Sequence, residues 1–303
     1  MTRRLPFDLS VLKRPEIASV LRFVVFAALI AYLGYRLWNI GLIDVLSNLP
    51  TSPLYYVLFA VSYFVLPVSE AFIYRNLWDV PIPRLFPALI RKRALNEGVV
   101  GYSGEAYLFF WARENIGIPA TRLLSLIKDN NLISSFVALT ATCLLATGVL
   151  AIPNGPLFSN VSQSHTVMIG IGAGLVLALI AYFGRRKVLS LDGGVMKSTA
   201  AIHASRMSLV LVLQVLQWSA ALPSVPWIVW VYITTANLLV TRIPFLPSYN
   251  FVLLGLGLSM SKFTGAPDTA VAGLFVTGAA LSQIFNLGLF ILTAGEKTKA
   301  KTV

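Results

Sequence analysis

The chain has 303 residues, of which 57% are hydrophobic and only 12% are charged, and its formal net charge is +12. Soluble globular domains carry roughly 25% charged residues, so this composition argues against a soluble protein and predicts several transmembrane helices. The basic residues stand in short clusters beside apolar runs, which is the positive-inside pattern and predicts no nucleic-acid partner.

Apolar runs and basic segments alternate over the first part of the chain. Residues 1–19 are basic, and we expect them on the cytoplasmic face, followed by a retained first transmembrane helix at Val20–Ile40. A loop without Lys or Arg follows, and a second helix at Leu54–Tyr74 returns to the cytoplasm. This helix contains Pro67 and Glu70, so we expect a kink and a buried charge.

A helical hairpin that dips into the membrane from the cytoplasmic side is predicted at residues 83–112. Its first part is too polar to cross a bilayer alone. Its second part, 100–112, is apolar, but a run of this length is typical of a re-entrant or interfacial segment. The helix breakers Gly98, Gly101 and Gly104 would form the tip of the hairpin.

The middle of the chain predicts three more helices. A long one at Pro119–Ala151 starts with charged residues that we place at the interface or facing the interior. A fourth helix at Thr166–Phe183 ends in a basic cluster, so residues 188–206 are predicted to be a basic cytoplasmic connector. A fifth helix is expected at Met207–Leu222, where prolines follow and end it.

The last part of the chain contains two short apolar pieces, Trp227–Thr241 and Phe251–Phe263. They form either a second hairpin, entering from outside, or two short full spans. A final helix at Thr269–Leu292 brings the C-terminus to the cytoplasm, where we also place the N-terminus. The whole chain is therefore predicted to be a single all-α, multi-pass membrane domain with about 6–8 membrane segments.

An internal repeat is indicated by residues 117–121, Gly-Ile-Pro-Ala-Thr, which recur as Gly-Ala-Pro-Asp-Thr at 265–269, after 148 residues. Each copy follows a short broken apolar pair and opens a long helix. We predict pseudo-repeats at about 54–152 and 207–295, linked by 153–206, with an inverted arrangement as one option. Short interrupted helices in corresponding positions of two repeats indicate the binding site of a transporter.

Motifs for catalysis or cofactor binding are scarce. The chain has no HExxH, Walker loop, GxSxG or CxxC sequence, so no catalytic residue is predicted. A single cysteine, Cys143, excludes an internal disulfide, and the two histidines, His165 and His203, are far apart in sequence. We expect neither a metal site nor a cofactor, and the sequence favours a transporter over an enzyme without excluding the latter.

Ionisable side chains beside lipid are costly and usually functional, so they are the first candidates for a binding site. Glu105 lies among aromatic residues at the tip of the predicted hairpin. Its carboxylate could pair with a basic lipid group, relay a proton, or pair with Arg242 or Lys262. The alternative is that it is the structural partner of a buried Arg. Lys128, Asp129 and Asn130 form a polar cluster that could line a headgroup cavity or form a surface pair at the helix start.

Arg242 lies between two apolar pieces, where it could bind a lipid phosphate or extend to the interface as a snorkelling side chain. Arg113 could likewise be an interfacial anchor. The full set of residues predicted to bind substrate is Glu70, Glu97, Glu105, Arg113, Lys128, Asp129, Asn130, Arg242, Tyr249 and Asn250.

Two blocks of the sequence carry a family resemblance. Residues 103–108, Ser-Gly-Glu-Ala-Tyr-Leu, are followed by Gly-Ile-Pro at 117–119 and by a long helix with a polar cluster. This layout resembles the lysylphosphatidylglycerol synthase transmembrane-region family, also called flippase-like, whose second block would fall at 246–257. The family's paired glycines are absent there, and Leu253 or Leu254 stands where its second acidic residue is expected.

The resemblance implies a membrane protein that binds and moves an amphiphilic lipid between the leaflets of the bacterial inner membrane. The lipid would be an anionic phospholipid, a polyprenyl lipid or a glycolipid. The family's soluble aminoacyl-transfer domain has no counterpart in these residues, so we expect no lysyl transfer. The alternative is a membrane-embedded enzyme, or an accessory subunit, of glycolipid or polysaccharide synthesis. Expected partners are membrane lipids, with a homodimer or a partner biosynthetic or transport protein left open.

Overall fold

A computed structural model of the chain describes residues 42–98, 102–152, 189–240 and 249–293, together with the single positions 31, 35, 38 and 172. All regular structure within these ranges is helical. The helices are α1 Leu42–Ser47, α2 Pro53–Trp78, α3 Ile82–Gly98, α4 Ser103–Asn115, α5 Ala120–Leu150, α6 Gly193–Ala221, α7 Trp227–Val240, α8 Tyr249–Ser259 and α9 Asp268–Leu292, with a 3₁₀ turn at Ser261–Phe263.

Four of the described helices, α2, α5, α6 and α9, are long and apolar enough to cross a membrane, by length and composition. The shortest of them has 25 residues. At about 1.5 Å per residue it exceeds the hydrocarbon core of a bilayer, which is roughly 30 Å thick. The prediction of a helical, membrane-embedded protein is confirmed to this extent. The predicted helices at Val20–Ile40 and Thr166–Phe183 lie outside the described residues, apart from the single positions given above.

The start of α6 corrects one prediction. Residues 188–206 were expected to be a connector, but α6 begins at Gly193 and runs without interruption to Ala221. Its first turns contain few large apolar residues, so hydropathy alone did not mark them as part of a long helix. Thr199 and His203 are nevertheless buried, because this part of α6 packs against α2 and α5. Tertiary packing stabilises this part of the helix. Its buried side chains are polar, so its hydropathy stays low.

The helices α2 and α6 form the most extensive helix pair, and they lie antiparallel. Tyr55 near the start of α2 lies beside Gln217 near the end of α6. At the opposite end of the pair, Tyr74 of α2 and His203 of α6 both form hydrogen bonds with Asn130 of α5. The pair is therefore the central axis of the described bundle, with α5 beside α6.

Two apolar cores lie at opposite ends of α2. The first surrounds Tyr55 and joins α1, α6, α7, α8 and α9, with the rings of Trp218, Trp230 and Phe275 in contact. The second surrounds Tyr74 and joins α3, α4 and the start of α5. Aromatic side chains bury large areas, so packing at both ends holds the polar groups between the cores in place.

The helices α3 and α4 pack against each other over the residues for which a re-entrant hairpin was predicted, 83–112. Entry of this hairpin into the membrane stays a prediction. The Ser103 hydroxyl donates to the Leu95 carbonyl at 2.8 Å, and the Gly104 backbone N–H donates to Oδ1 of Asn96 at 2.7 Å. A Cβ atom on Gly104 would overlap the backbone oxygen of Lys92. Glycine at this position therefore allows α4 to begin in direct contact with α3.

The two Gly-x-Pro-x-Thr segments adopt the same turn before α5 and before α9. Gly117 has φ = 76° and Gly265 has φ = 67°, and both values lie in the left-handed region that favours glycine. Pro119 and Pro267 then cap the helices with ψ angles of 138° and 137°. Each prolyl carbonyl accepts the first helical hydrogen bonds, so the sequence match corresponds to a shared local structure.

Candidate functional site

Three charged side chains from three helices form the ion cluster Glu70–Lys92–Glu105. The Nζ atom of Lys92, on α3, lies 2.5 Å from Oε1 of Glu70 on α2 and 3.3 Å from Oε1 of Glu105 on α4. Lys92 is 3% exposed and Glu70 is 6% exposed, so solvent hydrates neither charge. The close packing of α4 against α3 brings the second carboxylate within reach of the ammonium group.

The ammonium group of Lys92 lies between two carboxylates at the centre of this cluster. An opposite charge at this distance stabilises the charged form of a side chain. The cluster therefore joins α2, α3 and α4 through charge, in addition to apolar contacts.

A series of hydrogen bonds continues from the ion cluster to α6. Lys92 Nζ lies 5.8 Å from the centre of the Tyr74 ring. Nδ2 of Asn130 donates to the Tyr74 hydroxyl at 3.2 Å, and Oδ1 of Asn130 lies 2.9 Å from Nε2 of His203. Because the amide oxygen can only accept, Nε2 of His203 carries the proton and Nδ1 is a free acceptor.

Two buried polar atoms of this region have no hydrogen-bond partner among the described residues, namely Oε2 of Glu105 and Nδ1 of His203. Native structures contain few such atoms, and they mark positions where water, an ion or a ligand group can bind. Arg206, one turn beyond His203 on α6, donates from Nη2 to the Ser134 hydroxyl at 3.0 Å. The polar region therefore extends across α2, α3, α4, α5 and α6.

A second polar group surrounds Arg93 and Glu97 on α3. Nε of Arg93 donates to Oε1 of Glu97 at 2.8 Å, and Nη1 donates to the backbone carbonyl of Tyr63. The guanidinium carbon lies 3.8 Å from the centre of the Tyr63 ring. Oε2 of Glu97 accepts from Ser282 at 3.2 Å and from Asn286 at 2.8 Å. The Arg93–Glu97 pair is therefore fixed by α2 on one side and α9 on the other.

A cavity of about 150 Å³ lies beside the Arg93–Glu97 pair, between α2, α3, α6, α8 and α9. Its polar wall includes Ser62 and two glutamines, and its aromatic wall includes tryptophan and phenylalanine. The Ser62 hydroxyl is buried and has no hydrogen-bond partner within the described ranges. Besides the ion pair, the side chains that line the cavity include Ser62, Gln214, Gln217, Phe59, Trp218 and Phe275.

The structure brings four of the predicted site residues into these two regions. Glu70 and Glu105 belong to the ion cluster, Asn130 continues it, and Glu97 lines the cavity. Arg113 does not join them, since it is exposed at the end of α4, with its guanidinium carbon 5.4 Å from the centre of the Phe110 ring. Its predicted role in substrate binding stays a prediction.

Asp129 and Lys128 lie away from the cavity, towards the segment that precedes α6. Oδ2 of Asp129 accepts from both the backbone N–H and the hydroxyl of Ser190, each at 2.7 Å. Lys128 Nζ lies 3.0 Å from Oδ1 of the same carboxylate. These contacts attach the segment before α6 to the first turns of α5. Arg242 and the side chains of Tyr249 and Asn250 fall outside the described residues.

Sequence reasoning did not identify the basic members of the two regions. Lys92 and Arg93 belong to an Arg-Lys-Arg run that reads as an interfacial cluster, and His203 and Arg206 fell in the predicted connector. The four-residue spacing from Arg93 to Glu97 was the available signal, because such pairs share one face of a helix.

Both regions consist of ion pairs and hydrogen-bonding side chains. In the parts of the chain that the structure describes, no group of three or more His, Cys, Asp or Glu side chains could hold a metal ion. The carboxylates of the ion cluster instead share a lysine. No protein-family model, curated protein or solved structure matches the chain. The resemblance to the flippase-like family therefore stays a prediction.

Proposed function

We propose that this protein binds the polar headgroup of a membrane lipid in the cavity beside Arg93 and Glu97 and moves the lipid between the two leaflets. The observation that carries this proposal is the position of a charged, hydrogen-bonding cavity among helices of membrane-spanning length. Ionisable groups inside a membrane are costly, and by default they indicate a functional site such as a substrate pathway.

The size of the cavity supports a headgroup as the occupant. Pockets that enclose drug-sized ligands have volumes of roughly 300–1,000 Å³. The cavity has about 150 Å³, which is too little for a whole lipid. A headgroup would therefore enter it while the acyl chains stay in the surrounding lipid. This arrangement needs only a polar path for the headgroup, because the chains never leave an apolar environment.

The proposed topology includes the α3–α4 hairpin as a re-entrant element. With 17 and 13 residues, α3 and α4 are about 26 Å and 20 Å long, below the roughly 30 Å that a span requires. Adding the sequence-predicted helices at 20–40 and 166–183 gives 6–8 membrane segments. Positive-inside charge then places both termini on the cytoplasmic side of an inner membrane.

We further propose that α2–α5 and α6–α9 are inverted repeats. Each set consists of a long helix, two shorter helices and a second long helix, in the same order. The packing between the sets is reciprocal, since α3 lies against α9 while α7 lies against α5, and α2 pairs with α6 in antiparallel orientation. Transporters commonly place their substrate sites at the interface of such repeats.

Lipid movement is tested by reconstituting the protein in vesicles and following the loss of fluorescent lipid from the outer leaflet. Wild-type protein should accelerate this movement over empty vesicles. Gly278 lines the cavity, so Gly278→Leu should fill it and slow movement at least fivefold. Gly288→Leu on the same helix is the control, because nothing lies within 4 Å of its added Cβ. Equal rates for the two variants would exclude the cavity as the lipid path.

The inverted arrangement is tested separately by cysteine labelling in a Cys143→Ser background. Thr51 precedes α2 and Gly193 begins α6, and both positions are exposed. In sealed vesicles or cells, a membrane-impermeant maleimide should label Thr51→Cys from the outside and Gly193→Cys only after permeabilisation. Labelling of both positions from the same side would refute the inverted repeat without bearing on lipid movement.

A further inference from the structure

The charges around the cavity are balanced. Among the described residues that line it, Arg93 and Glu97 are the ionised side chains, and they pair with each other at 2.8 Å. An anionic headgroup would need to compete with Glu97 for the guanidinium and would add a second negative charge. A cationic headgroup would meet Arg93. Burying an unpaired charge is costly, so this cavity disfavours both.

The polar side chains of the cavity can both donate and accept hydrogen bonds. The Gln214 amide has donors and an acceptor, and the Gln217 amide has them besides its hydrogen bond with Tyr55. The Ser62 hydroxyl offers one donor and acceptor lone pairs. Arg93 uses Nε and Nη1 in its contacts with Glu97 and Tyr63. Hydroxyl groups both donate and accept, so they match this mixed wall better than phosphate oxygens, which at neutral pH mainly accept.

The aromatic wall adds apolar surface next to these groups. Trp218 and Phe275 contact each other at 5.2 Å between ring centres, and Phe59 lies on the same cavity. A sugar ring has polar edges and C–H faces, and its faces pack favourably on aromatic rings. A cavity that combines amides and hydroxyls with aromatic rings therefore offers what such a headgroup requires.

We propose that the cavity accepts an uncharged, hydroxyl-rich headgroup, namely a sugar carried on a lipid anchor, in preference to an anionic phospholipid. This preference for an uncharged headgroup follows from the Arg93–Glu97 pair, whose two charges cancel. This inference rests on the proposed lipid-binding function of the same cavity. Of the lipid classes that the sequence left open, the proposal selects glycolipids.

The test compares monoglucosyl diacylglycerol with phosphatidylglycerol of identical acyl chains, by competition for the purified protein in neutral detergent. Wild-type protein should prefer the glucolipid at least tenfold. In Glu97→Gln the guanidinium loses its counter-charge, so the preference should shift about tenfold towards phosphatidylglycerol, which corresponds to about 1.4 kcal/mol. The double variant Arg93→Gln/Glu97→Gln is again neutral and should restore the wild-type preference. Glu114→Gln, an exposed change on α4, is the matched control and should leave it unaltered.

Each outcome decides between the two proposals. A wild-type preference for phosphatidylglycerol, or equal affinity for both lipids, would overturn the headgroup assignment and leave lipid binding intact. An unchanged preference in a folded Glu97→Gln would overturn the charge-balance argument. If Glu97→Gln does not fold, the wild-type preference decides alone. Absence of binding and movement for both lipids would overturn the proposed function itself.

Discussion

Removing the cation from the ion cluster should be among the most damaging single changes in this protein. Lys92→Met deletes the ammonium group between Glu70 and Glu105, whose oxygens lie at 2.5 Å and 3.3 Å. With an effective dielectric constant of about 20, each attraction amounts to roughly 5–7 kcal/mol, most of which offsets desolvation of the charges. Removing one partner of a buried pair costs about 3–5 kcal/mol, because the remaining charges stay buried without compensation.

The rescue of this variant distinguishes charge from packing. In the triple variant Glu70→Gln/Lys92→Met/Glu105→Gln, no uncompensated charge remains, and neutral replacements of buried ion pairs are often as stable as the original. We therefore expect it to recover most of the free energy of unfolding that Lys92→Met loses. Lys197→Met, at an exposed position of α6, should change it by less than about 0.5 kcal/mol.

The measurement is reversible unfolding in mixed micelles with increasing mole fraction of dodecyl sulfate, followed by circular dichroism. A loss below about 1 kcal/mol for Lys92→Met would refute a buried, solvent-excluded cluster, since surface pairs contribute that little. A triple variant as unstable as Lys92→Met would show that the methionine disturbs packing, and the electrostatic reasoning would then be wrong.

Two further changes test close contacts by the same unfolding assay. Gly104→Ala should destabilise the protein by about 1–3 kcal/mol, because its methyl group overlaps the backbone of Lys92, whereas Gly148→Ala, with open space around it, should be neutral or stabilising. A tolerated Gly104→Ala would contradict the packing of α4 on α3. Gly117→Ala and Gly265→Ala should each cost about 1–2 kcal/mol, because alanine is strained at positive φ. A neutral result at either would exclude the left-handed turn there.

The long helices were accessible to sequence reasoning because hydropathy reports them directly. Predicted helices at Leu54–Tyr74, Pro119–Ala151 and Thr269–Leu292 correspond closely to α2, α5 and α9. The carboxylates of the site were found for the same reason, since Glu70 and Glu105 are conspicuous within apolar runs. The start of α6 was not found, because its inward-facing residues are polar and carry no hydropathy signal.

The basic residues could not be assigned from sequence because adjacent positions on a helix point in different directions. Arg91 donates a hydrogen bond to Thr293, the residue after α9, while Lys92 enters the ion cluster and Arg93 borders the cavity. Three consecutive basic residues thus serve three separate environments, about 100° apart around the axis of α3. A positive-inside count treats such residues as equivalent, and only their neighbours in space distinguish them.

The proposed repeat explains why the cavity and the ion cluster differ. Residues that are 148 positions apart correspond to each other in the proposed repeat. Four such pairs are Tyr55 and His203, Trp218 and Glu70, Leu253 and Glu105, and Gly278 and Asn130. The first residue of each pair lines the cavity, and the second belongs to the ion cluster or its hydrogen-bonded extension. The two regions therefore occupy corresponding places in the two halves. In the first half, the Asn130 side chain occupies this position and bonds to His203. In the second half, Gly278 has no side chain there and lines the cavity. The missing side chain leaves room for a ligand. On this argument the ion cluster is a fixed support within the first half, and the proposed headgroup site is the cavity beside Gly278, to which the first half contributes Arg93 and Glu97.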